Sequence, residues 1–375
     1  MSLTADVVIV GAGIVGAACC YQLAREKFKV ITVDADGIGT GATAAGMGHL
    51  VAMDDSEAQF RLTRYSQMLW QEAAPQLPTS VEYESCGTIW VAADEDEMGE
   101  VRRKQSYYEL RGVRCQILDE TALREAEPYL RNGLPGGLLV PSDAVIYPPC
   151  AAAFFCEQGK SKGAKFLLGR RVTSIAGGTV SLDDGTTLIA SRVVNAAGEA
   201  ASRLTPGLPI RPRKGHLVIT DRYPRTIRHQ LVELGYLKSA HATTVDSVAF
   251  NAQPRITGQI LIGSSRQYGT ADKAVEPQMV TRMLQRAFEY LPVLETISAI
   301  RTWTGFRTAT PDKLPLIGPL SEDPSILIAA GHEGLGITTS LGTAQLVTDS
   351  LLGRPSQIPI DPYLPARYMH EASHA

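Results

Sequence analysis

Val7-Val8-Ile9-Val10-Gly11-Ala12-Gly13-Ile14-Val15-Gly16 joins a short, wholly apolar run to a turn carrying three glycines. The run is apolar on both faces, as a buried parallel strand is. From Ile14 to Glu26 apolar residues recur at helical spacing, at Val15, Ala18, Cys19 and Leu23. Val30-Ile31-Thr32-Val33 then reads as a second β-branched strand ending at Asp34. In that setting G-x-G-x-x-G is a dinucleotide fingerprint. Gly11 permits the bend, and Gly13 lets a pyrophosphate reach the backbone beside Ile14 and Val15. Gly16 lets the helix pack close to the strand. The helix start also offers N–H groups and a positive dipole end to phosphate oxygens. Asp34, followed by Ala35, presents a carboxylate suited to adenosine ribose hydroxyls and repellent to a 2′-phosphate, which argues against NADP. The fingerprint does not by itself separate NAD from FAD.

Farther along, the pattern leaves this unit and returns to it. A loop rich in glycine and alanine, Gly37 to Gly48, leads to an amphipathic helix over Ser56–Glu72. Glu82–Ala92 reads as a strand, and Glu95–Arg111 and Thr121–Glu127 as helices. Thr179–Leu182 and Thr187–Ala190 read as a hairpin, and Arg192 to Gly198 as a separate buried strand. From Ile210 to Arg307 strands dominate, with one helix near Gln278–Tyr290. A strand over Ile326–Ala330, a glycine turn and a long helix to Leu352 close the chain. This alternation predicts a mixed α/β fold: a discontinuous Rossmann-type cofactor domain (1–80, 146–208 and 316–375) with an inserted, largely antiparallel β-sheet domain for the substrate (81–145 and 209–315).

At 375 residues, with 44% hydrophobic and 20% charged residues, the chain has the composition of a globular enzyme. A net charge of −3 provides no broad basic surface for nucleic acid. No run approaches the roughly 20 apolar residues of a membrane span, and a cytoplasmic place is expected, with docking to the inner membrane through partners left open. The six cysteines are scattered without a CxxC pair and read as reduced structural thiols. The histidines show no metal-ligand spacing, and His370 and His374 fall in a tail expected to be loose.

Beyond Asp34, the stretch Gly37-Ile38-Gly39-Thr40-Gly41-Ala42-Thr43-Ala44-Ala45-Gly46-Met47 resembles the second flavin-contacting loop of the D-amino-acid-oxidase-like family, which includes glycine and sarcosine oxidases. Arg171-Val172-Thr173-Ser174-Ile175, Asn195-Ala196-Ala197-Gly198, Thr310 to Gly318 and Ala329 to Ile337 match further family segments in order. Pro212-Arg213-Lys214-Gly215-His216 and Ile262 to Arg266 look most like the β subunits of multisubunit bacterial dehydrogenases, which act on D-hydroxyproline, opines or, in hydrogen cyanide synthase, glycine.

The resemblance implies FAD as cofactor and a role for each matching residue. Val172 would meet the adenine, and Ala197 and Gly198 the pyrophosphate. Ala42, Thr43, Ala45, Gly46, Met47 and Gly48 would thread beside the flavin. Gly334, Leu335, Gly336, Ile337 and Thr338 open the last helix, whose dipole would face the N1/C2=O edge of the reduced ring. In Trp303-Thr304-Gly305-Phe306-Arg307, Gly305 would lie near the cofactor and Arg307 would bind the substrate carboxylate, for which a guanidinium fork is suited. His49, Tyr268 and His332 are further candidates, for ring contact, acid–base work or pocket lining. The chain departs from glycine oxidase, which has an arginine at the place of Gly334, and its Val248-Ala249-Phe250 tract lacks the family tyrosine.

The expectation is FAD-dependent oxidation of a small amino or imino acid (D-hydroxyproline, a proline-like compound, glycine, sarcosine or an opine) by hydride transfer, as the β subunit of a dehydrogenase complex. Implied partners are a second flavoprotein α subunit and a small iron–sulfur subunit, with an FMN at a subunit interface. The alternatives are a free-standing oxidase producing hydrogen peroxide and a non-catalytic flavin electron-relay subunit.

Overall fold

β1 (Ser2–Val10) is nine residues long, not the four of the apolar run, because its first half also has a partner. In the computed structural model, which describes residues 2–235, 246–270 and 272–369, Ser2 pairs with Thr187 and Val10 with Asn195. The partner is one unbroken strand over Thr187–Asn195, where a hairpin arm and a separate strand were expected. Its early residues pair with Thr179–Leu182 as the hairpin arm, and its last three pair with Ile326–Ala330. Two roles fall to consecutive parts of one strand. His370 and His374 lie outside the described residues.

The chain divides into two units. The first comprises Met1–Val81, Tyr147–Pro212 and Phe306–Ala375, and the second Glu82–Ile146 and Arg213–Gly305. In the first, β1, β2 (Val30–Asp34), β3 (Lys165–Leu168), β4 (Val172–Ala176), β5 (Thr179–Leu182), β6 (Thr187–Asn195), β7 (Leu316–Pro319) and β8 (Ile326–Ala330) form one sheet. Its main path runs β7-β8-β6-β1-β2-β3, with β5 and β4 branching from β6. The four inner pairings are parallel, and β7 joins antiparallel at the edge. A parallel sheet needs helical cover. It comes from α1 (Ile14–Arg25), α2 (Glu57–Ala73), α3 (Pro148–Ser161) and α4 (Gly336–Leu352). Ser56 caps α2 by accepting the Gln59 amide at 3.1 Å. On the opposite side Val10, Val33, Val172, Leu182 and Ile328 share one buried cluster.

The second unit is an eight-stranded sheet in the order Ala299–Ala309, Arg211–Thr220, Ile260–Arg266, Ser247–Pro254, Gln230–Glu233, Thr88–Ala92, Gly136–Val140, Gln116–Asp119. It is antiparallel from Arg211–Thr220 to Gln230–Glu233, parallel where that strand meets Thr88–Ala92, and antiparallel beyond. The strand expected from Glu82 starts only at Thr88. Positive φ angles at Glu82 (51°) and Gly87 (70°) break the extended run before it. Helix Pro277–Tyr290 covers one face, with Phe250 stacked on Tyr290 at 4.8 Å between ring centroids. The mixed α/β class expected from the sequence holds. All six cysteines are free, and burial lifts the Cys19 thiol to about 12 and Cys20 to about 11. Among the described residues no helix is long and apolar enough to cross a membrane.

Candidate functional site

The three glycines of the fingerprint are held by three different contacts, all within the first unit. Gly11 ends β1 at a φ of 110°, and a Cβ there would run into the Ala196 carbonyl. Gly16 lies against the Gly11 carbonyl in the same way. Gly13 is the N-cap of α1 in extended conformation and has no side chain to cap it. The cap comes from elsewhere: Thr43 Oγ1 accepts the Ile14 amide at 2.9 Å. Ile14 and Val15 are themselves buried in the fold. A compact turn results, of the kind that receives an anion at a helix start, with no side chain at Gly13 to obstruct it.

Asp34 organises the neighbouring strand end. Its carboxylate accepts the Ala12 amide at 2.7 Å and the Asp36 and Gly37 amides at 2.9 Å each. The group therefore joins the glycine turn to the end of β2, with half-buried Ala35 beside it. Ala197 and Gly198 follow β6, and Gly198 has a φ of 56°. Buried Asn195 fixes this bend, accepting the Ala197 amide at 3.2 Å and donating to Ala201 O and Thr205 Oγ1 at 3.0 and 2.9 Å. In the sequence Asn195 stands out only as part of a motif. Its position at the end of a buried strand is the signal for this anchoring role. Val172 is buried beside Val10 and Val33, the residues that precede Gly11 and Asp34.

At the other end, the small-residue loop meets α4. Ala42 and Ala45 bound a single helical turn, followed by Gly46, buried Met47 and Gly48. A Cβ on Gly46 would stand 2.6 Å from Ile337 Cδ1. Thr338 Oγ1 donates to His49 O at 2.8 Å, and Trp70 Nε1 donates to Thr338 O at 3.1 Å. Trp70 was not anticipated. The loop and the first turn of α4 are thus tied together, and Leu335, the N-cap of α4, contributes no side-chain cap. Amides at such a helix start lack acceptors within the helix.

Arg307 reaches the same turn. The Glu333 amide donates to Thr308 O at 2.9 Å, which sets the strand end beside the turn before α4. The Arg307 stem then lies over Gly334, its Cδ and Nε 3.7 Å from where a Cβ would stand. A Cβ on Gly336 would stand 3.3 Å from the His332 Cβ. The His332 ring is buried, with Nε2 3.0 Å from Thr343 Oγ1, and burial lowers its pKa to about 4. It is neutral at physiological pH. Gly305 is half-buried in strand Ala299–Ala309. Tyr268 belongs to the second unit, where its hydroxyl accepts from Arg213 Nη1 at 3.0 Å.

A Gly-rich turn at a helix start, a carboxylate closing the next strand, and a second helix start lined by glycines fit an extended dinucleotide. The family model described as DAO, FAD dependent oxidoreductase, matches residues 6–350. The chain belongs to this family. It is an FAD-dependent oxidoreductase. Members of the DAO family similar to it include the hydrogen cyanide synthase subunit HcnC of Pseudomonas aeruginosa, 28% identical over 99% of this chain and 98% of the relative. The glycine oxidase of Geobacillus kaustophilus is 28% identical over 97% of each chain. The crystal structure of glycine oxidase from that organism superposes with a TM-score of 0.88 at 26% identity, over 97% of this chain and 99% of the other. That of L-proline dehydrogenase from P. horikoshii shares the fold, with a TM-score of 0.89 at 23% identity over 99% of both chains.

Proposed function

We propose that this DAO-family chain oxidises the C–N bond of a small amino or imino acid whose carboxylate is held by Arg307. The observation that carries this reading is Arg307 lying over Gly334 at the entrance to α4. A guanidinium is planar and always charged, which suits a carboxylate partly withdrawn from water. Gly334 adds no side chain, so the amine-bearing part of the substrate has room.

When bound, FAD supplies a two-electron acceptor for the hydride equivalent removed from the C–N bond. The chain's part is to hold and orient. Gly11, Gly13, Ile14, Val15, Gly16, Ala197 and Gly198 would carry the pyrophosphate, Asp34 and Ala35 the ribose, and Val172 the adenine, with Thr43 beside the turn through its bond to the Ile14 amide. Ala42, Ala45, Gly46, Met47, Gly48 and Gly305 would border the ring system. The amides of Gly334, Gly336, Ile337 and Thr338, with the dipole of α4, would stabilise negative charge there, while the Leu335 amide already donates to His332 O at 3.0 Å. A substrate that reacts as its free amine needs no separate base, and His332, neutral and bound to Thr343, is assigned no proton transfer.

Anaerobic mixing of the holoprotein with proline, hydroxyproline, glycine, sarcosine and opines tests this reading. Loss of the oxidised flavin spectrum with at least one of them is expected, with a pH profile that follows the substrate amine. Failure of the whole panel refutes it, and bleaching excludes a mere electron relay. The similarity to a protein named as a subunit supports work within a complex; a flavoprotein partner, an iron–sulfur partner, an FMN at the interface and a cytoplasmic place are parts of the same proposal. Rapid peroxide formation by the isolated chain would instead favour a free-standing oxidase.

A further inference from the structure

Strand Ala299–Ala309 ends the strand order of the second sheet, and among the described residues no strand lies on its far side. Its first part is open on both faces as well. Ser298, Ala299, Ile300, Arg301 and Thr302 are all exposed, Ile300 at 58%. Native sheets shield such edges with prolines, bulges or charges. From Ile297 to Trp303 the one charge is Arg301, and its guanidinium is turned over the Trp303 ring, 5.3 Å from the centroid.

The direction of the backbone groups follows from Ser298. Its N–H donates to Tyr223 Oη at 2.9 Å and its carbonyl accepts the Asp221 amide at 2.8 Å. Both therefore point toward the chain leaving strand Arg211–Thr220. In an antiparallel sheet the N–H and C=O of one residue share a side, and successive residues alternate. Ile297 is extended, at a φ of −111° and ψ of 154°, and the contact of Arg301 with Trp303 two residues on agrees with the same alternation. Ile297, Ala299, Arg301 and Trp303 thus turn their backbone groups outward, a ladder ready for one more strand.

A second copy of this chain fits that ladder. Antiparallel pairing about a twofold axis at Ile300 sets Ala299 against Arg301 and Ile297 against Trp303, the pairs whose outward groups exchange hydrogen bonds. Ser298 then faces Thr302, and Ile300 faces its own copy. Hydroxyl meets hydroxyl, apolar meets apolar, and no two arginines stand opposite each other. The stacking of Arg301 on Trp303 also draws each guanidinium away from the axis. An axis at Arg301 would oppose the two arginines. One at Ala299 would set Ile300 against Ser298 and Arg301 against Ile297.

We propose that this chain self-associates through residues 297–303, joining the second sheets of two copies edge to edge. These residues are fewer than the roughly 20–30 a side of a standard interface, so the dimer is weak and forms with rising concentration. The inference does not depend on the amine-oxidation reading.

Sedimentation velocity of the FAD-loaded chain over a concentration series reads the association, and single cysteines read its register. The wild type should pass from monomer to dimer. Ile300→Lys, which brings two ammonium groups together at the axis, should raise the dissociation constant at least about tenfold with flavin content unchanged. Opposed side chains at the axis are close enough for a disulfide. Under diamide, which takes up the two thiol hydrogens, Ile300→Cys should yield a covalent dimer. Thr302→Cys, four residues out of register with its own copy, should not, but mixed with Ser298→Cys it should link. Leu110→Cys, 84% exposed in the connection to strand Gln116–Asp119 at the other end of the sheet, and the wild type with its six native thiols set the background. A wild type monomeric at every concentration leaves the edge to an unlike chain or to none, and overturns the proposal. So does a dimer indifferent to Ile300→Lys, or linkage in Ile300→Cys no greater than in Thr302→Cys.

Discussion

Thr43 Oγ1 accepts the amide of Ile14 at 2.9 Å, so the helix that opens the fingerprint is capped by a residue 29 positions further along the chain. Thr43→Ala should lower stability by about 1 kcal/mol, as loss of a helix cap does. If the hydroxyl also contacts the cofactor, FAD should bind roughly tenfold more weakly, and Thr43→Ser should restore it. Titration of the apoprotein with FAD decides. An unchanged dissociation constant in Thr43→Ala removes this residue from the cofactor site.

Gly11 combines a positive φ with contact against the Ala196 carbonyl, whereas Gly185, at a φ of 82°, has nothing within 4 Å of a Cβ. Gly185→Ala should therefore cost only the backbone strain, on the order of 1 kcal/mol. Gly11→Ala should cost more than about 3 kcal/mol and yield protein with little FAD. Urea denaturation with flavin content measured alongside separates the two effects. Equal midpoints would show that the clash is relieved by a backbone shift.

Arg307→Ala should raise KM on the order of a hundredfold while the flavin stays bound, with partial recovery in Arg307→Lys, which keeps the charge but loses the fork. Steady-state kinetics with the best substrate of the panel, together with the flavin spectrum of each variant, check this. Wild-type kinetics in the alanine variant would end the assignment of the carboxylate.

Burial holds His332 near a pKa of about 4, against an ordinary value of 6.5. The unfolded chain therefore binds the proton more readily, and folding favours the neutral ring. Stability from this source is complete above pH 6.5 and is lost as the pH falls from there toward 4. The loss is on the order of 3 kcal/mol over the window. Denaturation midpoints of the wild type and His332→Gln between pH 7.5 and 4.5 should show a steeper acid decline in the wild type. Parallel slopes would contradict the assignment.

Much of the cofactor end was legible because its constraints are local. A bend against a backbone carbonyl admits only glycine at Gly11, and Ser56 announces its helix by the type of residue that caps one. The full length of β1 was not legible, since Ser2 to Ala5 has no distinctive pattern and is extended by its distant partner Thr187–Ala190. Motif order singled out Arg307 and Gly334 separately. Their juxtaposition depends on the bridge between Thr308 and Glu333, which no spacing rule contains.

The position of β6, between β1 and β8, bears on how the protein is made. During synthesis β1 and β2 leave the ribosome long before β6 exists, and β8 and α4 appear later still. The parallel sheet is completed only once synthesis has passed Ala330, a slow and exposed route by virtue of its distant pairings. A message truncated before Ile326 would release a chain whose strand Val193–Asn195 has a bare edge, an evident target for chaperones and proteases.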